Sequence, residues 1–149
     1  MNARRRFVGL AVAGLGAVLT LASVRAEPAN ISVVEAHQRA VKGELVLVDI
    51  RAPKEWQASG LPASSKAITM YQSGSRFLSA LKRAAGGDPG KPIALICATG
   101  VRSVHLQAML KRAGIENTIN VLGGMFGTPK DTGWLKAGLP VKRWSGQGG

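Results

Sequence analysis

Pro92-Ile93-Ala94-Leu95-Ile96-Cys97-Ala98-Thr99-Gly100-Val101-Arg102-Ser103 is the stretch that decides the fold. Its first five residues carry no charge, and a short run of this kind suits a strand buried on both faces of a parallel sheet. The run ends at Cys97. From about Arg102 to Ala113 the pattern changes to a helix, with Leu106, Met109, Leu110 and Ala113 on one side. Lys111 and Arg112 occupy the last turn and Gly114 follows, as dipole and C-cap preferences require.

The same alternation extends in both directions. Ile31 to Val34 reads as a short edge strand, and Val33, Val34, Ala36, Ala40 and Val41 have helical spacing closed by Gly43. Leu45-Val46-Leu47-Val48-Asp49-Ile50 is a second buried-type strand. Pro53 opens a helix to about Ser59, with Gly60 as its stop. Ala67 to Met70 is a weaker strand, Ser75 is placed to cap a helix to about Ala85, and Thr118 to Val121 is a further strand. After Gly123-Gly124 a short helix is expected around Trp134. Strands alternating with helices predict an α/β domain, a parallel sheet covered on both faces. Ligands of such sheets sit beyond the carboxyl ends of the strands, where both Asp49 and Cys97 fall.

Cys97 is the chain's only cysteine, which excludes an internal disulfide framework and a cysteine-only metal site. A lone cysteine in an apolar strand is commonly a small core residue. Its position at a strand-to-helix switch favours a reactive thiol instead. A helix N-terminus favours a thiolate, amides of a tight loop converge on an anion, and Gly100 permits the loop to curl. Arg102 adds a permanent positive charge. The expected anion cradle is Ala98, Thr99, Gly100, Val101 and Arg102 around Cys97, with Asp49 and Arg51 in support. In that reading Asp49 braces the loop and Arg51 pairs with Glu55 one helical turn away. His105 reads as a packed or surface histidine, and Trp56, Trp134 and Trp144 as packing residues.

Residues 1–26 read as an export leader. Arg4-Arg5-Arg6 precede an uncharged run from Phe7 to Val24, and Val24-Arg25-Ala26 has the small-x-small form of a cleavage site. Arg4-Arg5-x-Phe7 resembles a twin-arginine motif. The competing reading is an uncleaved membrane anchor over residues 7–24, since that run reaches the lower edge of a bilayer span. The expected organisation is a leader over 1–26, a domain over 27–145 and a flexible tail over 146–149, in a periplasmic or otherwise exported protein. Residues 27–149 hold sixteen basic and eight acidic side chains, so anionic partners are expected. The cations are scattered singly and aromatics are few, which argues against nucleic acid. Contact with a membrane is expected only if the leader stays on.

Taken together, the motifs resemble a single-domain rhodanese, of the sulfurtransferase family. Cys97-Ala98-Thr99-Gly100-Val101-Arg102 matches the family loop C-x-x-G-x-R. Val48-Asp49-Ile50-Arg51 with Glu55-Trp56 matches its D-x-R…E-aromatic element. Leu122-Gly123-Gly124, Trp134 and Gly138-Leu139-Pro140-Val141 match its closing segment. The resemblance spans about residues 31 to 143 and implies a three-layer sandwich, a five-stranded parallel sheet flanked by helices. It further implies sulfur transfer from a donor such as thiosulfate, through a persulfide on Cys97, to a thiol, cyanide or a protein acceptor. No metal or organic cofactor is implied. The alternative is a non-catalytic sulfur-carrier, redox-sensing or docking module of the cell envelope.

Two stretches depart from the family pattern. Gly60-Leu61-Pro62-Ala63-Ser64-Ser65 stands where G-H-I-P-G-A is common, and Ala98 stands where thiosulfate-using members often have arginine. One anion contact is therefore missing, for which Lys66 or Arg51 are the candidate substitutes. Related phosphatases place five residues between cysteine and arginine. Here there are four, which makes a smaller pocket suited to sulfur.

Overall fold

The computed structural model describes residue 27 and residues 29–146. The leader and anchor readings of residues 1–26, and the tail beyond Gly146, fall outside the described residues. Eleven elements follow in order: β1 (Asn30–Ile31), α1 (Val33–Val41), β2 (Val46–Asp49), α2 (Pro53–Ser59), β3 (Leu61–Pro62), β4 (Ser65–Ala67), α3 (Gly74–Ala84), β5 (Ile93–Ile96), α4 (Val101–Arg112), β6 (Thr118–Val121) and β7 (Val141–Lys142).

Five strands form one sheet in the order β1-β6-β5-β2-β4, every pairing parallel. This is the expected five-stranded α/β architecture. Side chains alternate across the two central strands, as the two-residue strand period dictates. Leu47, Ala94 and Ile96 join Val33 and Ala36 of α1, with Met125 and Trp134, on one face. Val48, Leu95 and Cys97 join Phe77, Ala80 and Leu81 of α3, with Leu106 and Leu110 of α4, on the other. Cys97 thus continues the β5 alternation past the strand end, toward the face that α4 covers.

Local chemistry sets the boundaries, and several differ from expectation. Ser32 caps α1 by accepting from the Glu35 N–H at 3.2 Å, so the edge strand ends at Ile31 and does not run to Val34. Ser73, not Ser75, caps α3, accepting from the Arg76 N–H. The strand expected over Ala67–Met70 lies earlier, at Ser65–Ala67. The chain still runs beside β2, because the N–H groups of Ile68 and Met70 donate to the carbonyls of Asp49 and Ile50. The expected helix at Trp134 is only a turn, which reverses at Gly138 with φ +67° and meets Pro140.

Two readings of α4 and the closing segment also change. Met109 is 58% exposed and Ala113 is exposed. Gln107 is buried instead, its Nε2 donating to the carbonyls of Ala29 and Thr118. The segment Pro140–Lys142 does not simply trail away. β7 pairs antiparallel with β3, Leu61 opposite Lys142 and Pro62 opposite Val141, in a separate two-stranded ribbon. The altered stretch after Gly60 supplies that ribbon's other strand.

Candidate active site

β5 delivers Cys97 to the carboxyl rim of the sheet, and the chain turns at once into α4. Gly100 is the N-cap of α4 with φ +94°, a left-handed conformation that L side chains resist. A Cβ there would meet no atom closer than 3.5 Å, so conformation and not space calls for glycine. That turn directs the Gly100 N–H onto Cys97 Sγ at 3.1 Å. The Ser103 hydroxyl lies 3.4 Å from the same sulfur. One side of Cys97 packs in the α3–α4 core and the residue is fully buried, while amides and a hydroxyl meet its sulfur.

Burial pushes the Cys97 thiol up. The Ser103 hydroxyl, together with the N–H groups of Ser103, Thr99 and Gly100, pulls it down and prevails, leaving the thiol below its ordinary value. On the bare thiol, Thr99, Gly100 and Ser103 are the groups that act on the sulfur. Ala98 and Thr99 are half-buried and form the side of the loop nearer solvent.

A second layer fixes the loop from behind. The carbonyls of Cys97 and Ala98 accept from the N–H groups of Met125 and Phe126, each at 2.9 Å. Gly124 runs directly under this point, where a Cβ would stand 2.5 Å from the Cys97 carbonyl oxygen. Gly123-Gly124 is thus a close-approach floor for the cysteine loop.

Arg102 does not face the sulfur. Its Nη2 and Nη1 donate to Glu55 Oε1 and Oε2 at 2.7 and 2.9 Å, and Nη1 also donates to the Tyr71 hydroxyl at 2.9 Å. Glu55 also accepts from the Ala52 N–H at 3.0 Å. The Arg102 hydrogen bond is the main cause that lowers the Glu55 carboxyl from 4.5 to about 2, and Glu55 in turn raises Arg102. The pair ties the first turn of α4 to α2.

The expected Arg51–Glu55 pair is absent. Arg51 folds back onto Asp49, Nη2 to Oδ2 at 2.7 Å, and also donates to Ser59 Oγ and the Gly60 carbonyl. Both Asp49 and Arg51 are fully buried. Asp49 accepts from the Arg51 backbone N–H and from Trp56 Nε1, so it braces the turn into α2 and not the cysteine loop. Neither substitute cation reaches the loop: Arg51 is enclosed, and Lys66 lies on β4 at the sheet edge. His105 is exposed, while Trp56 and Trp134 are buried.

The sequence reading missed Ser103 and Asn120 as parts of the site. The single Ser103 hydroxyl proton is shared among Asn120 Oδ1 on β6 at 2.7 Å, the Gly100 carbonyl at 3.1 Å and Cys97 Sγ at 3.4 Å, and Asn120 Nδ2 donates to Asn30 Oδ1 on β1. A polar residue inside the buried strand Thr118–Val121 was the available signal, since buried amides need partners. Among the described residues no three of His, Cys, Asp and Glu gather as a metal-ligand set.

The model of the rhodanese-like domain matches residues 32–128. An uncharacterized protein of Rickettsia conorii is 27% identical over 116 residues, covering 74% of this chain and 94% of its own. The crystal structure of Rv0390 from M. tuberculosis is 26% identical with a TM-score of 0.61, covering 77% of this chain and 97% of that one. The polysulfide-sulfur transferase homodimer of Wolinella succinogenes is 26% identical with a TM-score of 0.57, covering 79% and 80%.

Proposed function

The chain belongs to the rhodanese-like domain family, and from that premise we propose that it is a sulfurtransferase with Cys97 as its nucleophile. One observation carries the reading: a Gly100 N–H lies 3.1 Å from a sulfur that Ser103 also contacts, at the carboxyl rim of a parallel sheet. The donors that favour a thiolate are equally suited to a persulfide anion.

In the proposed reaction the Cys97 thiolate attacks the outer sulfur of a sulfane donor. The donor's S–S bond breaks, its electron pair leaves with the remaining thiolate, or with sulfite where the donor is thiosulfate, and Cys97 carries a persulfide. An acceptor thiolate or cyanide then attacks the outer sulfur, and Cys97 departs as thiolate. The two half-reactions make a ping-pong cycle with no net oxidation.

Donor preference follows from charge. Ala98 offers no cation and Arg102 is neutralised by Glu55, so the loop is poorly equipped for the dianion thiosulfate. On charge we place a low-molecular-weight persulfide, with a single charge at its sulfur end, ahead of it. The likeness to a polysulfide-sulfur transferase adds polysulfide as a candidate donor. The arginine-led start and uncharged run of residues 4–24 support export of the domain.

The test is intact-mass measurement after exposure to polysulfide and, separately, to thiosulfate. The expected result is a gain of one sulfur atom, removed by cyanide with release of thiocyanate and absent in Cys97→Ala. Repeated thiocyanate release establishes turnover, whereas a single loading without turnover would point to the sulfur-carrier reading. Full activity in Cys97→Ser would overturn the assignment.

A further inference from the structure

A cavity of about 570 Å³ opens at the free edge of the sheet, between β4, α3 and the segment after β7. None of residues 97–103 lines it. Its charged lining is Lys66, Arg83, Lys142 and Arg143, with no acidic residue among the described residues that line it. None of the four is in an ion pair among the described residues. Leu61, Ile68 and Ala80, each nearly inaccessible, give it an apolar floor. Trp144 supplies an aromatic wall, set edge-on against Trp56 with ring centroids 5.4 Å apart.

The four cationic residues are each solvent-exposed, yet they converge on one cleft with no acidic residue among its described lining. Lys142 Nζ donates to the Ser65 carbonyl at 2.7 Å, which draws its ammonium in against β4. Burial and the nearby Lys66 charge both lower the Lys142 ammonium below its usual value. Like charges gathered without a counter-charge are unfavourable, and a bound anion would relieve them. A second cavity of about 420 Å³ beside α3 provides the contrast, since its Lys82 is accompanied by Asp88 and Glu116.

We propose that the β4-edge cavity is a binding site, separate from Cys97, for a small organic anion with an apolar or aromatic body. The class comprises carboxylates, sulfonates and phosphate monoesters. The cations hold the charged head, and the floor and Trp144 take the body. The volume lies within the range of small-molecule sites, which pair an apolar lining with a few converging polar groups.

Phenyl phosphate is the probe, titrated into the full chain and followed by amide and indole N–H NMR shifts. Inorganic phosphate and phenol are the separate arms for head and body. Saturable shifts centred on Lys66, Ile68, Arg83, Lys142 and the Trp144 indole are expected, with the Cys97–Ser103 amides unmoved. Lys66→Gln/Lys142→Gln should weaken binding at least tenfold. Should loss of the Ser65 contact unfold that variant, Lys66→Gln/Arg83→Gln removes two charges without breaking an observed hydrogen bond and should also weaken it. Non-saturating shifts, shifts centred on residues 97–103, or unchanged affinity in a folded variant would overturn the site. Inorganic phosphate or phenol binding as tightly as phenyl phosphate would overturn the paired head-and-body recognition. Loss of sulfur loading at Cys97 bears on the activity alone, so the two readings fail separately.

Discussion

Arg102 and Glu55 meet fork to fork, with two nitrogen–oxygen contacts of 2.7 and 2.9 Å across 47 residues of sequence. The arginine beside the nucleophile in sequence is therefore a clasp between α4 and α2, and its charge is balanced before any substrate arrives. The Cys97 thiol is held down by Ser103 and by neutral backbone dipoles instead.

The clasp gives stability a defined pH dependence. The folded Glu55 carboxyl is lowered to about 2, below its unfolded value, so its contribution is full above roughly pH 4.5 and is lost as pH falls through about 2. Both partners are about a quarter exposed, so solvent screening limits the effect to about 1 kcal/mol. Urea unfolding of wild type and Glu55→Gln should differ by that amount at pH 7 and converge toward pH 2.

Ser103→Ala should raise the Cys97 thiol, because it removes a donor that holds the thiol down and leaves only the backbone N–H groups. The pH dependence of iodoacetamide alkylation reads this directly. Ser103→Thr should restore the wild-type midpoint. Arg102→Leu should leave the midpoint in place, and a rise equal to that of Ser103→Ala would restore Arg102 as the main source of thiolate stabilisation.

Asp49→Ala should destabilise the fold by about 3–5 kcal/mol, because it leaves the enclosed Arg51 guanidinium without its counter-charge. Equilibrium urea unfolding measures the loss. Sulfur loading per folded molecule should be retained at low temperature, since Asp49 contacts Arg51 and Trp56 and not the cysteine loop.

Two glycines separate conformation from space. At Gly43 (φ +70°) a Cβ meets nothing within 4 Å, so Gly43→Ala should cost about 1 kcal/mol, the penalty of a left-handed residue. At Gly124 (φ +55°) the same Cβ would enter the backbone of the cysteine loop. Gly124→Ala should cost about 3 kcal/mol or more and abolish sulfur loading. Thermal melts and intact-mass assays distinguish the two outcomes.

The strands at 46–49 and 93–96 were legible because a strand buried on both faces leaves an apolar run in sequence, here Leu45–Val48 and Ile93–Ile96. Helix α2 was read to the residue, since Pro53 and Gly60 act locally at its two ends. The β3–β7 ribbon was not legible. Its strands are two residues each and lie about 80 residues apart, so neither carries a periodic signal.

The sequence alone determined the alternating architecture, the place of Cys97 at the sheet rim and the left-handed glycine three residues on, because each follows from neighbours within a few positions. Tertiary structure decided the charge partners: Arg51 to Asp49, Arg102 to Glu55, and Ser103 between Cys97 and Asn120. It also gathered Lys66, Arg83, Lys142 and Arg143 around one cavity. Charges and hydroxyls select partners by distance in the folded chain, and no spacing rule encodes that distance when the partners come from separate elements.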